Sequence, residues 1–373
     1  MIKLSKSVLN NKEVDAVTRV ILNSGYLGMG AEVALFEAEI ANYINVNKDN
    51  VVCVNSGTAA LHLAVEAVLS IGEEIIVPSF TYLSSIQAIS AAGVVPIFCD
   101  INRDSLCMDL TDAEKKITPN TKAIMYVHYG SNTYDIDSLY KFAKKFNLRI
   151  IEDAAHSFGC KYKNNKIGSL GDITCFSFDG IKNITSGEGG AIVTNDIKTL
   201  SIVKDSRLLG IVKDSEKRYA GERSWDFDVI KQGYRYHMSN IFAAIGRVQL
   251  SKLDTEFAPK RIEFTNMYRK KLGTLKDIEL QILDNDSYII PHIFPIKVLN
   301  NKRDKLREFL EKNNIPTGIH YKPNHLLSFY FNKDIRLPIT EKVYSEILTL
   351  PLHPDLTIDE IDQIVTLIKF FYK

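Results

Sequence analysis

The sequence predicts an α/β fold: a large domain over residues 1–247 built on a mainly parallel, helix-covered sheet, then a smaller α+β domain over residues 248–373. Two observations predict it. Between residues 51 and 152, short apolar runs rich in Val and Ile alternate with helical patterns, which is the signature of β-α repeats around a parallel sheet. Beyond about residue 248 that alternation stops and helical segments surround one extended run.

The elements follow in order. Residues 12–23 carry apolar side chains at helical spacing and stop at Ser24-Gly25; a glycine loop, Tyr26-Leu-Gly-Met-Gly30, leads to a second helix over 31–43. Val51–Asn55 is a buried strand, Ser56-Gly57-Thr58 a small-residue turn, and Ala59–Leu69 an apolar helix. Strands at 74–77, 94–100, 123–127 and 149–152 alternate with helices at 84–92, 110–117 and 136–146. Apolar runs at 173–178 and 191–193 flank a glycine-rich turn, and a helix spans 198–209. Residues 214–228 show no period and read as a long loop. The helix at 241–253 carries Ala243, Ala244 and Gly246, small enough for close packing, including packing between subunits. The tail reads as a helix at 256–272, a strand at 289–298, a helix at 303–313, and helical turns over 340–372 around Leu350-Pro-Leu-His353-Pro.

Composition narrows the function. A net charge of +1 over 373 residues argues against a nucleic-acid binder with a broad basic face. No run approaches bilayer length, and the start, Met1-Ile-Lys-Leu-Ser, lacks the apolar core of a signal peptide, so a cytoplasmic protein away from membranes is expected. Cys53, Cys99, Cys107, Cys160 and Cys175 show no paired metal spacing and read as reduced, buried thiols; no metal site is expected.

Open parallel sheets bind ligands at the carboxyl ends of their strands, so polar residues placed there are candidates. Thr81-Tyr82, His128-Tyr129, Asp153-Ala-Ala-His156 and Ser177 all follow strands. Singly, Tyr82 reads as core packing, His128 as a satisfied core histidine and Asp153 as a helix N-cap. Together they place an aromatic face, an acid, histidines and a hydroxyl along one edge. Lys182 lies in the turn after Ser177, before Gly187-Glu-Gly-Gly190. Desolvation there would favour the neutral amine that carbonyl chemistry needs, although a surface lysine on a hairpin fits the stretch equally well. The turn at Ser56-Gly57-Thr58 joins a strand to a helix N-terminus, which suits a phosphate; a plain N-cap is the alternative.

Asn55-Ser-Gly-Thr-Ala-Ala-Leu, Pro78-Ser-Phe-Thr-Tyr82, Val127-His-Tyr-Gly130, Ile151-Glu-Asp-Ala-Ala-His156, Phe176-Ser177 with Lys182-Asn and Gly187-Glu-Gly-Gly190, and Gly233-Tyr-Arg-Tyr with Ala243-Ala-Ile-Gly246 stand in one order along the chain. In that order and spacing the sequence resembles sugar-nucleotide aminotransferases of the DegT/StrS type, pyridoxal-phosphate enzymes of fold type I, the aspartate-aminotransferase-like fold. The resemblance implies that Lys182 bonds to pyridoxal 5'-phosphate and shuttles the proton. It further implies that Asp153 faces the pyridine nitrogen, Tyr82 stacks on the ring, and Gly57, Thr58 and Ser177 bind the phosphate. His156 would orient cofactor or substrate. His237 stands where relatives often carry Asn or Arg and would reach the phosphate of a neighbouring subunit, which implies a homodimer with shared active sites.

The activity implied is transfer of an amino group from L-glutamate to a nucleotide-linked keto sugar, with carbon 4 of a dTDP-4-keto-6-deoxyhexose expected. The product would serve deoxyamino sugars of O-antigen or other surface glycans. A C3 aminotransferase or an enzyme of UDP- or GDP-linked sugars is the alternative. Asp179-Gly180 departs from the family pattern and is expected to face substrate. Arg223, Arg235, His320 and Lys322 are candidates for the diphosphate, each equally readable as surface charge, and Tyr26 for the sugar or base. Relatives that remove hydroxyls carry histidine at the lysine position, against which Lys182 speaks. Two rivals from other classes are a non-catalytic sensing relative and a generic nucleotide-binding protein without the cofactor.

Overall fold

The structure, a computed structural model, describes residues 2–229 and 231–373. Met1, which opens the expected large domain, and Ile230 lie outside the described residues. The apolar runs form a seven-stranded sheet from β1 (Val51–Val54), β2 (Glu74–Pro78), β3 (Val95–Cys99), β4 (Thr121–Val127), β5 (Arg149–Asp153), β6 (Ile173–Ser177) and β7 (Gly190–Thr194), in the spatial order β1-β7-β6-β5-β4-β2-β3. Strands β6, β5, β4, β2 and β3 pair in parallel, while β7 runs against both β6 and β1. Alternate residues face opposite sides: Val51 and Cys53 pack with Phe36 and Ile40 of the helix Ala31–Ile44, and Val52 and Val54 pack with Leu61 and Val65 of the helix Gly57–Val68. Both faces are covered, which is why the central strands read as continuous apolar runs.

A second sheet of three antiparallel strands, β8 (Ile278–Leu280), β9 (Phe294–Val298) and β10 (Ile347–Leu350), lies under the helices Ala258–Leu272, Arg303–Lys312 and Ile358–Phe371. The expected boundary at 247/248 falls inside the helix Asn240–Lys252, which continues through a π turn, Leu253–Phe257, into Ala258–Leu272. The two ends of the chain also meet: Ile2 joins the C-terminal core, and Leu352 N–H donates to Leu4 O at 3.1 Å.

Three expectations need correction. The run at 214–228 contains a helix, Asp214–Tyr219. An Asp214–Arg218 ion pair at 2.8 Å and the contacts of Tyr219 with Arg207 and Glu37 hold it, and six residues are too few to show a period. The strand expected at 289–298 is only Phe294–Val298. Before it, Ile290 N–H goes to Cys160 Sγ, His292 N–H goes to Ser131 Oγ, and Arg261 takes the Pro291 and His292 carbonyls, which removes those groups from a ladder. Residues 347–350, expected within helical turns, form β10, because a four-residue apolar run takes the conformation its neighbours impose. The close helix packing expected of Gly246 is present within the chain: a Cβ there would sit 2.6 Å from the Phe36 ring of the Ala31–Ile44 helix.

Candidate active site

The carboxyl ends of β1, β4, β5 and β6 open into one cavity of about 390 Å³, within the range that holds a cofactor or substrate. Ser56, Gly57, Thr58, Tyr82, Asp153, His156, Ser177, Asp179, Lys182, His292, His320 and Tyr321 are among its walls.

One wall is the helix Gly57–Val68. Ser56 caps it, its Oγ accepting from Ala59 N–H at 3.1 Å, so the Gly57 and Thr58 amides open the first turn. Close approach decides the residues here. A Cβ on Gly57 would lie 2.8 Å from Ser177 Cβ and 3.0 Å from Ser177 Oγ, and one on Gly190 would lie 2.5 Å from Ser56 O. Only glycine leaves a cradle between this helix end and the Ser177 hydroxyl, and an anion fits it.

The floor is Asp153 at the end of β5. Its Oδ2 accepts from Ser85 Oγ at 2.6 Å and its Oδ1 from Ala155 N–H at 3.2 Å, in a site 5% exposed. Lys182 stands in the turn between β6 and β7. Burial pushes its amine below the ordinary lysine value, against the Asp153 and Asp179 carboxylates that favour the charged form. The uncharged amine is the nucleophilic form, and burial shifts Lys182 in its direction.

The far wall is uncharged. Burial first, then the Lys182 charge, drives His156 and His292 well below the ordinary histidine value and His320 down to about 4. His156 packs on His292 with ring centroids 4.4 Å apart. Gly130 N–H donates to His156 Nδ1 at 3.3 Å, which puts the ring proton on Nε2, facing Tyr321 Oη at 3.2 Å. Tyr321 then keeps its own proton for the cavity. His320 Nδ1 meets Thr349 Oγ1 at 2.9 Å, and Tyr82, 59% exposed, stands at the rim 5.5 Å from the Tyr321 ring.

Gly57, Thr58, Tyr82, Asp153, His156, Ser177, Asp179, Lys182 and His320 therefore share the cavity. Tyr26, Arg223, Arg235, His237 and Lys322 do not line it. Tyr26 is held by Asn240, whose Nδ2 donates to Tyr26 O at 2.8 Å; Arg223, Arg235 and Lys322 are exposed. His237 pairs by backbone with Val54, one residue before the Asn55-Ser56-Gly57 turn, and its buried Nδ1 has no hydrogen-bond partner among the described residues. Burial and the Arg235 charge take it to about 4, which favours the neutral ring near pH 7. His128 is in the core, 2.9 Å from Glu152. His292 and Tyr321 carry no site signal in the sequence: His292 sits in an apolar run with a strand pattern, and Tyr321 stands between the more polar His320 and Lys322.

Residues 8–369 match the model of the DegT/DnrJ/EryC1/StrS aminotransferase family. GDP-perosamine synthase of Escherichia coli O157:H7 is 36% identical over 368 residues, covering 98% of this chain and 96% of the relative. Among solved structures, the PLP-form of Spr1654 from Streptococcus pneumoniae superposes with a TM-score of 0.89 at 28% identity, covering 99% of this chain and 98% of that one. PseC of Helicobacter pylori, an aminotransferase involved in pseudoaminic acid biosynthesis, superposes with a TM-score of 0.91 at 27% identity, covering 100% and 99%.

Proposed function

The chain belongs to the DegT/DnrJ/EryC1/StrS aminotransferase family and is a pyridoxal-phosphate-dependent sugar aminotransferase of fold type I, and on that premise we propose that it moves the amino group of L-glutamate to carbon 4 of a nucleotide-linked 4-keto-6-deoxyhexose. The observation that carries the reading is the meeting, in one cavity, of a lysine with a lowered amine pKa, a buried carboxylate, and a glycine-lined helix end facing a serine hydroxyl.

The residues present fit pyridoxal phosphate. Gly57, Thr58 and Ser177 would hold its phosphate in a cradle that a Cβ at position 57 would fill. Asp153, kept in place by Ser85 and Ala155, would hold a proton on the pyridine nitrogen, and Tyr82 would cover the ring face. When bound, the cofactor supplies an electron-withdrawing ring and a carbonyl that carries nitrogen between donor and acceptor. Lys182 would move a proton between substrate carbon and cofactor carbon, taking one from the donor in the first half-reaction and delivering one to the acceptor in the second. The side from which it delivers the proton sets the new stereocentre. His292, His320 and Tyr321 offer neutral polar groups, which suit sugar hydroxyls and exclude water without adding charge, and His156 would orient Tyr321. Asp179, on the Lys182 turn, is placed to meet the substrate and to set sugar preference. The diphosphate would use Arg223, Arg235 and Lys322 outside the cavity. His237 would complete the cofactor site of a second copy as a neutral donor, making the working unit a homodimer.

The nucleotide is proposed as thymidine diphosphate. A GDP-linked sugar is the second reading, favoured by the 36% identical GDP-perosamine synthase. The test is a panel of dTDP-, UDP- and GDP-linked 3-keto and 4-keto sugars with glutamate, the product located by NMR. Turnover of a 4-keto sugar with retention of the hexose skeleton is expected. No turnover of any of them, while glutamate still bleaches the visible absorbance, would point instead to a sensing relative.

A further inference from the structure

We propose that Ser85 is a positioning residue for the cofactor, acting through Asp153 and forming with Thr81 a two-hydroxyl relay aimed at that carboxylate. The inference rests on the placement of Asp153 at the pyridine nitrogen.

The proton accounting is closed. Thr81 Oγ1 and Ser85 Oγ are 2.9 Å apart, and Ser85 Oγ is 2.6 Å from Asp153 Oδ2. A hydroxyl has one proton, and an ionised carboxylate only accepts. Ser85 therefore spends its proton on Asp153, and the bond between the hydroxyls is made by the Thr81 proton. Both donors point one way, toward the acid, and such chains polarise one another in a low-dielectric setting. The setting qualifies: Thr81, Ser85 and Asp153 are 2%, 0% and 5% exposed.

The relay also fixes geometry. Ser85 lies in the first turn of the helix Leu83–Ala91, and its N–H donates to Tyr82 O at 3.2 Å. One residue thus ties the loop carrying Tyr82, at the ring face, to the acid at the ring edge. With Ala155 N–H on Oδ1 and Ser85 on Oδ2, the carboxylate plane is held from both oxygens, with lone pairs left for one donor from the cavity.

The test compares two probes on the apo chain: pyridoxal 5'-phosphate and its 1-deaza analogue, which has a carbon in place of the ring nitrogen. Wild type should prefer pyridoxal phosphate. In Ser85→Ala that preference should shrink about tenfold, the size of one charge-assisted hydrogen bond, and the pH midpoint of the visible absorbance of the loaded chain should move. Thr81→Val should shift both readouts the same way by less, and Ser85→Thr should restore them. A Ser85→Ala chain that loses thermal stability but keeps the full preference and the same midpoint would overturn the proposal. Equal binding of both probes by wild type, unchanged in Asp153→Ala, would instead overturn the placement of Asp153.

Discussion

Lys182 shows what a single position can reveal. Its type and its glycine-rich neighbourhood were readable, but whether it is a surface lysine depends on which strands flank the turn. The β6–β7 pairing buries it next to Asp153, and burial lowers its amine. Lys182→Ala should abolish the visible absorbance of the loaded chain and lower turnover by about three orders of magnitude, as loss of a positioned general base does; absorbance and single-turnover rates check this. An undiminished rate would remove Lys182 from the chemistry. The histidines behave in the opposite sense to cations. His237 and His320 are held at about 4 against an ordinary 6.5, so the unfolded chain binds protons that the folded one refuses. Their contribution is complete above about pH 6.5 and is lost as pH falls toward 4. Urea midpoints measured from pH 7.5 to 4.5 should therefore drop across that window, and a flat profile would contradict the burial of these rings.

At the scale of elements, the site is made by approach distances that no local pattern encodes. The turn Ser56-Gly57-Thr58 was legible as an anion cradle because strand, small residues and helix follow in sequence. That Gly57 must be glycine because Ser177 comes within 2.8 Å of its missing Cβ is a fact of β6 lying over the helix. Gly57→Ala should raise the dissociation constant for pyridoxal phosphate about tenfold, the usual cost of one overpacked methyl group, with the circular dichroism unchanged. Spectrophotometric titration reads it directly. The helix Ala31–Ile44 is tied to β1 and to Tyr219 through Arg207, which donates to Glu37 Oε1 at 2.6 Å and to Cys53 O at 2.7 Å with no exposure of its own. Arg207→Ala strands the Glu37 charge in the core and should cost about 3–5 kcal/mol in urea unfolding; Glu37→Gln should cost less. These partners are 170 positions apart, so nothing in either stretch announces the pair.

For the whole molecule, the proposed dimer predicts a mass twice that of the chain by light scattering and complementation between inactive Lys182→Ala and cofactor-site His237→Ala chains. Full activity in a monomer would refute it. The β-α alternation from residue 51 to 152 specified a parallel sheet because each apolar run is short, bounded and buried on both faces. Of the strand ends on one edge, Thr81-Tyr82, Asp153 with His156, and Ser177 share one cavity, while His128 and Tyr129 turn into the core. The C-terminal strands were harder: β10 is four apolar residues that look the same in either conformation, and β9 starts late because Arg261, Cys160 and Ser131 claim the backbone before it. His292 and Tyr321 became visible as site residues only once the tail folded back over the sheet. Residue order alone thus carried the fold class and put several candidate side chains at strand ends, because these rest on contiguous strand-turn-helix units. The cofactor chemistry came from the resemblance of the ordered motifs to a known family. The neutral far wall, the Ser85 hydroxyl behind Asp153 and the neutrality of His237 depend on burial and on contacts between distant segments, which only the folded chain brings about.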